Sequence, residues 1–124
     1  MELFDLPFLK IIKLGDDLIE VITHEGVELD TGMMEQYHTW IRNKLKHPCY
    51  ILVNKINAYS YSFEVQQNLS TIPEIKAIAL LVYTQASQLA TESLQDMPRQ
   101  KPWNSKVFSS REEALQWLEA QRTE

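Results

Sequence analysis

The feature that most limits the fold is an apolar run, AIALLVY from Ala77 to Tyr83, set inside the segment Ile75 to Thr84. It is far shorter than the roughly 20 apolar residues that a membrane-spanning helix needs. Nearly continuous rather than alternating, it is expected as a strand covered on both faces, as in a parallel sheet whose strands are joined through helices. A chain of 124 residues suits a single domain, residues 1–124. At that length folding buries roughly two-thirds of the surface the unfolded chain exposes, so no disulfide staple is required.

The flanking sequence supplies the rest of the sheet. Phe8 to Leu14 and Leu18 to Thr23 are apolar, β-branched segments around Gly15-Asp16-Asp17, the pattern of a strand hairpin. From Thr31 to Leu45 the residues Met34, Tyr37, Ile41 and Leu45 form one helical stripe, with Asp30 or Thr31 as cap and Pro48 as stop. Strand and helix then alternate. Tyr50 to Ile56 is a strand; Tyr61, Val65, Leu69 and Ile72 have helical spacing; Ile75 to Thr84 is the next strand. Ala86, Leu89, Ala90, Leu94 and Met97 make another apolar helical stripe, and Lys106 to Phe108 is a short strand. Ser109 and Ser110 each stand three residues before a glutamate, overlapping capping boxes for a last helix. The expected architecture is α/β, a mixed sheet of about five strands with the first antiparallel to the rest, and about four helices.

Strands joined through helices pair in parallel with right-handed crossovers, so their strand-to-helix junctions fall at one edge of the sheet. Those junctions carry Tyr59-Ser60-Tyr61-Ser62, Thr84-Gln85-Ala86-Ser87 and Ser109-Ser110, with His24-Glu25 beside them. Two readings follow. The hydroxyls are ordinary helix caps, each contributing about 1 kcal/mol, or three helix N-termini converge on a shared site for an anion. The candidate binding or switch residues are therefore Tyr59, Ser60, Tyr61, Ser62, Thr84, Gln85, Ser87, Ser109, Ser110 and His24. Tyr59 and Tyr61 alternate with Ser60; one is expected to face inward and the other to offer a contact.

In element order, with VFSSREEALQWL as terminal strand and helix, the chain resembles the STAS domain shared by sulfate-transporter tails and anti-sigma-factor antagonists (SpoIIAA-like). It looks most like the small, stand-alone bacterial members. In the regulatory members a serine between the third strand and the next helix, within an Asp-Ser-Ser-Gly-like turn, is phosphorylated to switch binding of a kinase partner. Ser60 or Ser62 falls at that junction, but the acidic residue and the glycine are replaced by tyrosines and Phe63. The phosphoacceptor motif is degenerate, and the serines are expected chiefly to cap the helix.

Other candidates for chemistry are weaker. One cysteine, Cys49, forms no intramolecular disulfide and reads as a buried thiol suited to a reducing cytoplasm. His47, His24 and His38 match no usual zinc spacing with it, so no metal is expected. Asp16-Asp17 belong to a turn and Glu112-Glu113 to a helix start, neither an acid/base pair. Pro98 to Pro102 is read as a break, and in the basic, aromatic segment Pro98 to Asn104 the residue Trp103 is either an interface anchor or, the favoured reading, folds back to close the core. A formal charge of −5 with scattered Lys and Arg offers no basic face for nucleic acid. Glu2 and Asp5 stand where a secretory signal carries positive charge, and no run is long enough for membrane insertion.

The expectation is a cytoplasmic, non-catalytic regulatory or protein-binding module without cofactor. The competing class binds a small apolar, lipid-like or anionic ligand at the carboxyl edge of the sheet. An exposed hairpin edge is expected to pair two copies as a homodimer.

Overall fold

The structure, a computed structural model, describes residues 2–67, 72–95 and 104–123. Its main sheet has six strands in the order β1-β2-β3-β5-β7-β8: β1 (Glu2–Leu6), β2 (Leu9–Gly15), β3 (Leu18–Thr23), β5 (Cys49–Asn54), β7 (Ile75–Leu81) and β8 (Ser105–Phe108). Two further segments, β4 (Glu28–Leu29) and β6 (Ser60–Tyr61), pair in parallel as a small second sheet. The helices are α1 (Thr31–Lys44), α2 (Phe63–Gln67), α3 (Gln85–Gln95) and α4 (Arg111–Arg122). The AIALLVY run is a strand, as expected, as far as Leu81; Val82 and Tyr83 lie beyond its end, and Tyr83 is exposed. The strand lies between β5 and β8 with Ala77, Ala79, Leu80 and Leu81 buried, and burial continues past the strand's end to Val82.

The sheet has one strand more than expected. Glu2 to Leu6 pairs antiparallel with β2, so the strand that runs against its neighbours is β2 and the hairpin edge is covered. The segment escapes a hydropathy reading because its side chains are mostly exposed and two are acidic. The edge strands are β1 and β8. Parallel β3, β5, β7 and β8 all end at one carboxyl edge, as their crossovers require.

Two cores flank the sheet. One joins Leu9, Ile11, Ile19, Val21 and Ile51 to Tyr37, Ile41 and Leu45, which fixes α1 on that face. The other joins Tyr50, Leu52, Ala77, Ala79, Leu81 and Phe108 to Ala114 and Leu118 of α4. α4 is also clasped at both ends by charge. Arg111 donates to Glu20 at 2.6 Å, and Arg122 donates to Asp17 at 2.5 Å while also pairing with Glu119. Glu20 is buried, and its second oxygen accepts from Asn54 at 2.8 Å, so both carboxylate oxygens are partnered. A buried carboxylate without such partners would be strongly destabilising.

Two helical stripes are corrected. Tyr61 belongs to strand β6, not to the helix, and Leu69 lies outside the described residues. In α3 the expected apolar stripe faces solvent: Ala86, Leu89 and Ala90 are exposed while Thr91 is buried. The reason is a polar tie, since Lys55 Nζ donates to Thr91 Oγ1 at 3.0 Å and turns that side of the helix inward. The Leu94 side chain, Met97 and Trp103 lie outside the described residues.

Candidate functional site: the carboxyl edge of the sheet

Each hydroxyl expected at a junction is found at the carboxyl edge, and three of them cap helices. Ser62 Oγ accepts from Val65 N at 3.2 Å, Thr84 Oγ1 from Ser87 N at 3.0 Å, and Ser110 Oγ from Glu113 N at 3.3 Å. Asp30 does the same for α1 through Met33 N at 2.9 Å. Ser60 and Ser109 cap nothing. Ser60 is an exposed strand residue whose N–H donates to Val27 O, and of the two overlapping capping boxes only the one at Ser110 forms. Glu64, Glu112 and Glu113 stand in the first turns of α2 and α4, where their negative charge takes the place an anion would use. The edge is built for caps. Ser62→Ala is therefore expected to lower unfolding stability by about 1 kcal/mol, and Ser60→Ala by less than about 0.5. Urea unfolding of the two variants checks this; equal losses would contradict the assignment.

The edge divides into two neighbourhoods. Around the small sheet, Gly26 adopts φ 79, a left-handed turn that glycine enters without steric cost, and its N–H donates to Ala58 O at 2.7 Å. Glu25 accepts from Ala58 N at 2.5 Å, Asn57 donates to Thr23 O at 3.0 Å, and Ser62 N donates to Leu29 O at 2.9 Å. His24 directly follows β3, half-buried, its backbone N–H donating to Phe8 O. These bonds fasten the loop after β3 to the loop after β5. In the second neighbourhood Thr84, Gln85 and Ser109 line a cavity of about 470 Å³ with Val82, Tyr83 and Gln88.

Tyr59 and Tyr61 both face inward, which corrects the expectation that only one would. Residues two apart on a strand share a face, so alternation with Ser60 places them together. Their rings meet edge to face at 5.8 Å against the α1 core. Burial raises the pKa of both phenols; Tyr59 is also raised by Tyr61 beside it. Tyr37, buried below, is raised chiefly by burial. Lys55 lies 5.4 Å from the Tyr59 ring centre, and burial pushes its ammonium down to about 8.

Cys49 is buried at the opposite edge, its thiol donating to Glu74 O at 3.4 Å, and burial pushes it up to about 12. His47 instead meets Ile41 O at 3.3 Å, so the two make no dyad. Among the described residues no three His, Cys, Asp or Glu side chains converge as a metal site. None of their helices is long and apolar enough to cross a membrane.

The hydroxyl reading missed a set of apolar side chains at the same edge. Ile56, Phe63, Tyr83 and Leu89 are between 52% and 73% exposed. Ile56 and Tyr83 each follow by two residues the paired ends of β5 and β7, Asn54 and Leu81, and Phe63 opens α2. Ile56 and Tyr83 read in the sequence as among the last residues of their strands, and only the earlier ends of β5 at Asn54 and β7 at Leu81 set them outside. Leu89 was read as core.

The topology and the two-layer helix packing define an open, mixed α/β sheet of the SpoIIAA-like kind. A solved structure makes that comparison concrete: an uncharacterized protein of the DUF3478 family with a SpoIIAA-like fold, from Shewanella loihica PV-4, is 19% identical, covers 89% of this chain and 91% of its own, and superposes with a TM-score of 0.57. At that identity the likeness shows the fold. No family model and no curated protein matches the sequence.

Proposed function

We propose that the chain is a non-catalytic regulatory module of the cytoplasm that binds another protein through the carboxyl edge of its sheet. The observation that carries this is the exposure of Ile56, Phe63, Tyr83 and Leu89 on the segments that leave that edge. Interfaces use such aromatic and aliphatic side chains as anchors, whereas isolated exposed residues scattered over a surface call for no explanation. The SpoIIAA-like fold supports the regulatory reading, and the bond from Val65 N–H that engages Ser62 Oγ as a cap favours constitutive docking over a phosphoserine switch at that residue.

Affinity capture with quantitative mass spectrometry tests it. One protein should be retained by the wild type and lost by Phe63→Glu and by Tyr83→Glu, each with an unchanged melting temperature because neither side chain is in the core. Retention by both variants would count against the proposal. The cavity beside Thr84, Gln85 and Ser109 supports a second reading, a small ligand, since its volume falls in the range of such sites. Native mass spectrometry separates the two: a bound small molecule in the purified protein, unaffected by Phe63→Glu, would favour the ligand.

A further inference from the structure

The two faces of the main sheet are covered unequally. A single row of neighbouring residues crosses all six strands on the α4 side: Leu3, Ile12, Glu20, Leu52, Ala79 and Lys106. Leu52 and Ala79 lie under α4 and are fully buried, whereas Leu3 at the far end is 62% exposed. The next row begins Asp5, Lys10, Ile22. Leu3, Ile12 and Ile22 belong to neither core. Phe4 and Leu6, whose side chains point the other way, do pack against the α1 core. Over β1 and β2, then, this sheet face carries apolar side chains in register with the buried row but outside both cores of the described residues, Leu3 exposed and Ile12 and Ile22 half-buried.

The charges on this patch decide what covers it. Asp5 and Lys10 stand directly opposite each other, and Glu20 is neutralised by Arg111. On a chain of net charge −5 this patch is balanced, so two copies can bring it together without the like-charge repulsion that other surfaces would impose. The balance is also self-complementary, because a two-fold axis sets Asp5 of one copy against Lys10 of the other and the reverse. We propose that this half of the sheet face, the exposed Leu3 with the half-buried Ile12 and Ile22 around the Asp5–Lys10 pair, packs face to face on the same surface of a second copy of this chain. This surface lies apart from the carboxyl-edge anchors, so the proposal stands independently of the partner reading.

Sedimentation velocity over a micromolar concentration series tests it. The wild type is expected to sediment as a reversible dimer. Leu3→Lys, at an exposed position that the fold tolerates, should weaken dimerisation by about tenfold or more, and Phe63→Glu should leave it unchanged. Asp5→Lys alone should weaken it similarly, while Asp5→Lys combined with Lys10→Asp should recover it. A wild type that stays monomeric, a dimer indifferent to Leu3→Lys, or a dimer broken by Phe63→Glu would each overturn the proposal.

Discussion

Above pH 10 the protein is expected to lose stability steeply, by up to about 1.4 kcal/mol per pH unit for each group that the native state holds protonated. Burial keeps the phenols of Tyr37, Tyr59 and Tyr61 protonated beyond the usual value of 10, and the Cys49 thiol is held up to about 12 from a usual 9. The unfolded chain surrenders these protons first, so it binds fewer than the native state and stability falls as pH rises. Lys55 acts in the opposite sense. Its ammonium loses its proton near 8 in the native state but near 10.5 when unfolded, so the unfolded chain binds more protons in that interval and stability rises. The two effects set a shape. Stability should climb from pH 8 to 9 by up to about 1.4 kcal/mol as the Lys55 contribution acts alone, level off while Lys55 and Cys49 offset each other, then fall. Urea unfolding across this range, followed by tryptophan fluorescence, reads it directly. Lys55→Met should abolish the climb and Tyr59→Phe should soften the fall; a stability still rising at pH 11 would refute the account.

Leu52→Ala is expected to cost about 2–5 kcal/mol, whereas Leu3→Ala, the same substitution in the same row of the sheet, should cost less than about 0.5 in the monomer. Leu52 is sealed between β3, β7 and α4, so truncation there removes buried methyl groups and leaves a cavity that packed neighbours only partly close. Leu3 is exposed, so its truncation leaves no cavity. The comparison isolates what α4 contributes, because strand pairing at both positions is retained. Chemical denaturation at a concentration low enough to keep the protein monomeric gives both values. Similar losses at the two positions would mean that the sheet face over β1 is covered within the chain.

Local pattern made most of the architecture legible. The hairpin β2–β3, helix α1 and the strands β5, β7 and β8 were each readable from a period, a turn or a stop signal that operates over a few residues. The caps were equally plain as a class, but which hydroxyl bonds to an amide turned on backbone position: Ser62 rather than Ser60, Ser110 alone of its pair. Strand β1 was not legible. An edge strand buries little, so Glu2 and Asp5 are tolerated there and its hydropathy carries no signal. The candidate site was legible as a place rather than as a set of groups. Parallel connection brings the junctions and their hydroxyls to one edge, whereas the exposure of Ile56, Phe63, Tyr83 and Leu89 there depends on where the strands end and how α3 turns.

What the sequence by itself determined is the set of elements and their order, because apolar period, caps and turn residues act through the neighbouring backbone. Only the tertiary structure decided how those elements face. The apolar stripe of α3 lies outward because Lys55, far away in sequence, holds Thr91 inward. Tyr59 and Tyr61 are joined to the core because β6 pairs with β4 across the loops. The row from Leu3 to Lys106 exists only in the register of six strands, and whether a leucine in it is core or surface depends on where α4 comes to rest. Hydrophobicity specifies that a side chain leaves water; the long-range contacts specify which surface receives it.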